Sequence, residues 1–293
     1  MRIAVVQLAY GDEESFEQRV ERVAGLVAAQ AGHDLVVLPE LWGATGFDYS
    51  RWPGAAQPLD GPWARAMADA ARTAGVVLHA GSFVERLPEA GVDGNDLANT
   101  SLLFAADGQV IASYRKIHRF GFGSGEPKLM EAGDEVVVTG IPLRDGGSVT
   151  AGLSTCYDLR FPELYRRQVA AGAELFVIPA AWPAARVAHW TLLGRARAVE
   201  NQAVVVQCNT AGSHGGYEMG GHSQVVSATG AVLAEAVGEG RGSGGDGRGS
   251  GGDGRGSGDD GGAAVECVLS VDVDLAATTE YREAFPVLGD RRL

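Results

Sequence analysis

Ala31-Gly32-His33-Asp34-Leu35-Val36-Val37-Leu38-Pro39-Glu40-Leu41-Trp42 reads as a helix end, a glycine cap, an apolar strand, and a proline followed by an acid and a tryptophan. The same order of signals returns at Ala171-Gly172-Ala173-Glu174-Leu175-Phe176-Val177-Ile178-Pro179-Ala180-Ala181-Trp182. Glycine just past a helix caps it, and proline at the end of a ladder stops further pairing. The echo predicts two related β-α-β halves whose strand ends converge. At the matched position one half carries Glu40 and the other Ala180.

Working outward, strand-like runs at Arg2 to Leu8, Leu35 to Leu38 and Val76 to Phe83 alternate with amphipathic stretches. One of these is Glu13 to Gln30, with Phe16, Val20, Val23 and Val27 at helical spacing. That is an α/β pattern. Ser101 to Ala105 and Val110 to Tyr114 are joined by Asp107-Gly108, a hairpin signal, so the sheets must be mixed. With 293 residues, 45% of them hydrophobic, a single domain over residues 1–293 is expected. Within it, residues 240–262 repeat Gly-Arg-Gly-Ser-Gly-Gly-Asp and offer nothing apolar to offset ordering entropy. They read as a flexible insertion between strand-like runs at Ala231 to Val237 and Ala264 to Asp272.

A net charge of -13 leaves no basic footprint for nucleic acid, and none is expected as a partner. No run reaches the ~18 apolar residues of a membrane span, so no membrane partner is expected either. The chain opens directly on a strand-like run with no leader pattern, and its three cysteines show no paired spacing. Both observations predict an unexported protein of the reducing cytoplasm.

Cys156 follows the strand-like Val149 to Leu153 and precedes a helix opened by Pro162. A strand-to-helix turn exposes a side chain and aims backbone N–H groups at whatever that side chain attacks. On this context alone, nucleophile and small buried core residue are equally good readings. Cys208 and Cys267, inside apolar runs, read as packing residues. A nucleophilic thiol needs a proton acceptor, and Glu40, placed between Pro39 and Leu41-Trp42 at a strand end, is expected to be partly desolvated and to serve. Lys116, closing the second hairpin strand, could lower the thiol pKa and offer its ammonium to a developing oxyanion. His118 is the rival base of a Cys-His pair.

Leu38-Pro39-Glu40-Leu41-Trp42, Tyr114-Arg115-Lys116-Ile117-His118 and Cys156-Tyr157-Asp158-Leu159-Arg160-Phe161-Pro162-Glu163-Leu164-Tyr165 resemble the three signature segments of the nitrilase, or carbon-nitrogen hydrolase, family, in the family's order. The resemblance implies a four-layer α-β-β-α sandwich with two mixed sheets and outer helices, assembled as a homodimer or higher oligomer. It implies a Glu40, Lys116 and Cys156 triad that hydrolyses a small-molecule amide through a thioester, with no metal or organic cofactor. Glu126 matches the family's second glutamate by its spacing to Gly133-Asp134, while Glu131 is wrongly placed. The Tyr157 backbone N–H is the implied second oxyanion donor. The segment from Trp182 to Trp190, followed by Leu192-Leu193 and Arg195 to Gln202, resembles the omega-amidase branch, which cuts the terminal amide of dicarboxylic acid monoamides. Arg160 or Arg186 would bind the free carboxylate of such a substrate, and Trp182 would line its pocket. A nitrilase or an N-carbamoyl amine hydrolase would use the same triad. A non-catalytic binding module would have lost one member of it, and none is lost.

Overall fold

The computed structural model describes residues 1–237 and 264–292, so the expected insertion at 240–262 lies outside the described residues. The first half runs β1 (Arg2–Gln7), α1 (Phe16–Ala28), β2 (Leu35–Val37), α2 (Trp52–Ala55), α3 (Pro62–Ala74), β3 (Val77–Arg86), β4 (Leu97–Phe104), β5 (Val110–Arg115) and α4 (Glu126–Leu129). The second continues with β6 (Val138–Pro142), β7 (Ser148–Leu153), α5 (Pro162–Ala170), β8 (Leu175–Ala180), α6 (Val187–Asn201) and β9 (Val204–Asn209). It closes with β10 (Ser213–His214), β11 (Tyr217–Glu218), β12 (Gln224–Val226), β13 (Val232–Glu235), β14 (Cys267–Asp272) and α7 (Leu275–Ala284).

Two six-stranded sheets result, ordered β14-β1-β2-β3-β4-β5 and β13-β12-β9-β8-β7-β6. Each is built on a parallel triplet, β1-β2-β3 in one and β7-β8-β9 in the other. The echoed strands β2 and β8 hold the middle of each triplet. Antiparallel strands flank both triplets, which makes the sheets mixed as the hairpin signal requires. The Asp107-Gly108 turn forms, with Gly108 at φ 84 and the Ala105 N–H donating to Gln109 O at 2.7 Å.

Both faces of the central strands of each sheet are buried. Ile3, Val5, Leu35 and Val37 of the first sheet meet Leu153, Val177, Val206 and Cys208 of the second in a dry inter-sheet layer. The opposite face of the first sheet packs on α1 and α3 through Val23, Val27, Trp63 and Met67. The outer face of the second packs on α5 and α6 through Leu164, Tyr165, Trp190 and Ala198. Each such aliphatic side chain contributes roughly 1.5–3 kcal/mol by leaving water. The architecture is therefore the four-layer α-β-β-α sandwich. Cys208 is fully buried in the inter-sheet layer, whereas Cys267 is only half-buried, because β14 is an edge strand with alternating exposure.

Helix α1 is shorter than its periodicity suggests because Ser15 caps it: the Gln18 N–H donates to Ser15 Oγ, and the Ser15 N–H donates to Gln18 Oε1. In α6, Arg197 pairs with Glu200 at 2.8 Å and donates to Leu159 O at 2.7 Å, bracing the helix against the turn that carries Cys156. Among the described residues, no helix is long and apolar enough to cross a membrane.

Gly81 sits where the β3–β4 register shifts between His79 and Ser82. Its φ of 69 is left-handed, and a Cβ there would lie 1.8 Å from Pro39 O. Because Pro39 leads directly into Glu40, Gly81→Ala is expected to cost at least ~2 kcal/mol of stability and to displace the Glu40 turn. A urea titration reporting an unchanged midpoint would contradict this.

Candidate active site

The convergence predicted from the echo is where the site forms. The Glu40 N–H donates to Ala180 O at 3.3 Å, joining the end of β2 to the end of β8. The chain then turns sharply, with Leu41 at φ 44, and the turn is fixed from three sides. Its Leu41 N–H donates to Ser82 Oγ at 3.1 Å, and Trp42 Nε1 donates to Ala80 O at 2.9 Å. Arg19, buried on α1, donates to Trp42 O at 2.7 Å. Glu40 is thereby held 3% exposed at the floor of a pocket that Lys116, Glu126 and Cys156 also line.

Cys156 opens a short 3-10 turn, Cys156–Arg160, between β7 and α5. Its φ of 48 is left-handed, a conformation that costs a non-glycine residue and persists only when its surroundings enforce it. Asp158 supplies that enforcement. Fully buried, it accepts the Thr155 N–H at 2.9 Å and the Tyr114 hydroxyl at 2.6 Å on Oδ2, and the His118 N–H at 2.9 Å on Oδ1. Tyr114 and His118 bracket Lys116, so one carboxylate fixes the end of β5 to the turn of the thiol. Tyr157 is second in the 3-10 turn, whose first bond runs from the Asp158 N–H to Thr155 O at 3.0 Å. Its own N–H therefore has no carbonyl to reach within the turn.

Lys116 Nζ, 2% exposed, donates to Glu40 Oε1 at 2.7 Å and lies 3.0 and 2.9 Å from the two oxygens of Glu126. Burial works against its charge, but the carboxylates of Glu126 and Glu40 outweigh burial and hold it well above the ordinary lysine range. Burial raises the proton affinity of Glu126, Lys116 opposes that, and Glu40 adds to it. Glu126 also accepts the Phe120 N–H, which ties the loop after β5 to the site. Burial first, and then the charge of Glu40, push the Cys156 thiol well above its usual value, with Lys116 acting in the other direction. The expectation that lysine would lower this thiol is thus overridden by desolvation. Burial and the charge of Glu40 both favour a thiol over a preformed thiolate at Cys156 before substrate arrives.

The pocket wall contains Tyr157, Arg160, Trp182 and Arg186, together with Phe47, Tyr49 and Phe120 from loops that carry no pattern of their own. The Arg160 guanidinium lies 4.8 Å from the Trp182 ring and that of Arg186 lies 5.7 Å from the Phe120 ring. Neither has a carboxylate partner among the described residues. Asn209 holds the Trp182 turn, accepting the Trp182 N–H at 2.7 Å and donating to Trp182 O at 3.1 Å. The rival base is engaged elsewhere. His118 Nδ1 lies 2.8 Å from Asp158 Oδ1, its ring stacks on Phe161 at 3.7 Å, and it does not line the pocket. Glu131 is likewise spent, accepting the Asn95 N–H at 2.8 Å. Sequence reasoning missed Asn99, whose Nδ2 donates to both Glu40 Oε1 and Glu126 Oε1 at 2.8 Å. The signal available was a polar run, Asn99-Thr100-Ser101, inside a strand that is buried throughout.

A family model described as carbon-nitrogen hydrolase matches residues 2–283. The chain is 43% identical to a 2-oxoglutaramate amidase of Paenarthrobacter nicotinovorans, over 99% of this chain and 89% of that one. It is 33% identical to a 2-oxoglutaramate amidase of Bacillus subtilis (strain 168), over 94% of this chain and 92% of that one. Among solved structures it is similar to a CN-hydrolase superfamily protein of Xanthomonas campestris. There the TM-score is 0.81 at 26% identity, covering 100% of this chain and 97% of that one.

Proposed function

The chain belongs to the carbon-nitrogen hydrolase family as an amide-hydrolysing enzyme, and from that premise we propose that it cuts the terminal amide of a small dicarboxylic acid monoamide, releasing ammonia. The observation that carries this reading is a single pocket holding a thiol, an ammonium and two carboxylates at its floor, and on its wall two arginines without carboxylate partners among the described residues. The floor suits acyl transfer. The arginines suit a substrate whose far end is an anion. The names of the two relatives above agree with a 2-oxo acid monoamide.

In the proposed reaction Glu40 takes the Cys156 proton and the thiolate attacks the amide carbonyl carbon. Lys116 and the Tyr157 N–H stabilise the oxyanion, which collapses to a thioester as the protonated Glu40 hands its proton to departing ammonia. Glu40 then draws a proton from water. The hydroxide opens the thioester, and the acid leaves as the thiol is restored. Glu126 holds Lys116 in place through both of its oxygens. Each step is a proton or acyl transfer that these side chains can supply.

The test is ammonia release from 2-oxoglutaramate, succinamate, a neutral aliphatic amide, an N-carbamoyl amine and a nitrile. The first two are expected to be turned over best. Arg160→Ala and Arg186→Ala are expected to raise KM for these two by roughly 10-fold or more, and to leave the neutral amide nearly unchanged, since a charge-assisted hydrogen bond is worth about 1.5–3 kcal/mol. Equal effects on charged and neutral amides would remove the arginines from this role. Turnover confined to the nitrile or the carbamoyl compound would move the substrate class.

The three free cysteines support a cytoplasmic location. The exposed Leu192 and Val199 on α6 support assembly with a second copy of the chain.

A further inference from the structure

The two carboxylates of the site look alike, yet only one can accept a proton from the thiol, and the hydrogen bonds around them say which and why. An ionised carboxylate offers about four lone-pair positions, two on each oxygen. On Glu126 all four are taken: Oε1 by hydrogen bonds from Lys116 and Asn99, Oε2 by the Phe120 N–H and by the Lys116 ammonium as an ion pair at 2.9 Å. On Glu40, Oε1 is filled by Lys116 at 2.7 Å and Asn99 at 2.8 Å, while Oε2 receives, among the described residues, the Ala181 N–H at 2.9 Å. That leaves one position for the thiol proton, on Glu40 Oε2.

We infer that Asn99 is a positioning residue that assigns the two roles: by closing Oε1 of both glutamates with one amide nitrogen, it directs the Cys156 proton to Glu40 Oε2 and keeps Glu126 from acting as a base. This assignment rests on the triad reading given above. Two features of the side chain support it. The orientation of the amide is forced, because the reversed one would set Asn99 Oδ1 2.8 Å from two carboxylate oxygens. In the orientation adopted, Oδ1 is buried and has no hydrogen-bond partner among the described residues. A buried polar atom is rarely left so, and here the orphaned acceptor is accepted because both donors are needed at the other end. Asn99 is also anchored at its backbone, where its carbonyl accepts the Lys116 N–H at 2.9 Å, so amide and ammonium arrive at the two glutamates as one rigid pair.

The step governed is the proton transfer from Cys156 Sγ–H to Glu40 Oε2, which leaves a thiolate and a neutral carboxylic acid. Donors that favour an ionised carboxylate lower its proton affinity. Removing Asn99 takes one such donor from each glutamate, so the pH at which the thiol becomes reactive moves up.

The experiment follows alkylation of Cys156 by iodoacetamide across pH, a readout that needs no knowledge of the substrate, beside the pH profile of kcat/KM. In Asn99→Ala the acidic limb of both curves is expected to move up by about one pH unit. Asn99→Asp, which adds a third carboxyl, is expected to move it further. KM should change less than kcat, and Asn99→Ser, which restores one donor, should recover part of the shift. Should Asn99→Ala fail to fold, Asn99→Asp and Asn99→Ser carry the same comparison. Unmoved limbs, with activity losses that merely follow thermal stability, would overturn the inference. A wild-type protein whose alkylation shows no Cys156-dependent limb would instead overturn the triad reading itself.

Discussion

Cys156→Ala is expected to lower ammonia release from 2-oxoglutaramate by roughly 10⁴-fold or more while leaving the fold intact. Both halves of that expectation follow from geometry. Cys156 supplies the one thiol among the described residues lining the pocket, beside Glu40 and Lys116, and a thiol is the strongest nucleophile in that set. Alanine meets the same left-handed backbone strain as cysteine at φ 48, so the turn held by Asp158 loses only a small side chain. The thermal midpoint should therefore move by no more than a few degrees. Retained turnover in a well-folded variant would reject Cys156 as nucleophile, and a collapse of stability would reject the account of how its turn is held.

Lys116→Ala should do the opposite, losing stability as well as activity. Removing the ammonium leaves Glu40 and Glu126 buried without their shared cation, and breaking a buried ion pair from one side costs about 3–5 kcal/mol. The pH dependence carries a definite sign. Burial already raises the proton affinity of Glu126, and Lys116 is what opposes it, so the variant's folded-state carboxyl sits further above its unfolded value. A group raised in this way contributes its stability below the unfolded pKa and loses it as pH rises through the folded one. The Lys116→Ala protein should thus melt markedly lower than wild type at neutral pH and regain much of the difference in mild acid. Turnover should fall by about 10²–10³-fold through loss of an oxyanion partner, or further where Glu40 is misplaced. Equal melting deficits at both pH values would show that the carboxylates are not uncompensated.

Much of this arrangement was legible because its chemistry lies at strand ends, where sequence marks a boundary. Glu40 follows a proline that stops β2, Lys116 directly follows β5, and Cys156 falls between β7 and a proline-opened helix. The echo foretold the central strands β2 and β8, and the hairpin signal foretold mixed sheets. Asn99 was not legible, because it sits in mid-strand and its importance comes from what lies across the sheet and beyond a loop. The fate of His118 was hidden for a similar reason: only the fold reveals that Asp158 takes its ring. Phe47 and Tyr49 belong to irregular chain with no period to read. The raised thiol also escaped a local reading, since the lysine beside it was visible in sequence and the depth of burial was not.

The contact between Glu40 and the Ala180-Ala181 turn divides the labour of the molecule unevenly. The half built on β1-β2-β3 contributes the acid–base cluster, namely Glu40, Asn99, Lys116 and Glu126. The sheet built on β7-β8-β9 contributes the nucleophile, the Ala181 N–H and the Trp182 wall. Two halves that share an outline have thus become non-interchangeable parts. In gene shuffling between relatives, a crossover in the segment joining α4 to β6 would take the acid–base apparatus from one parent and the sulfur and its wall from the other. Such a chimera would succeed only where both parents keep the same ångström-scale fit across the seam, which makes that seam the place where inheritance of the two halves is coupled.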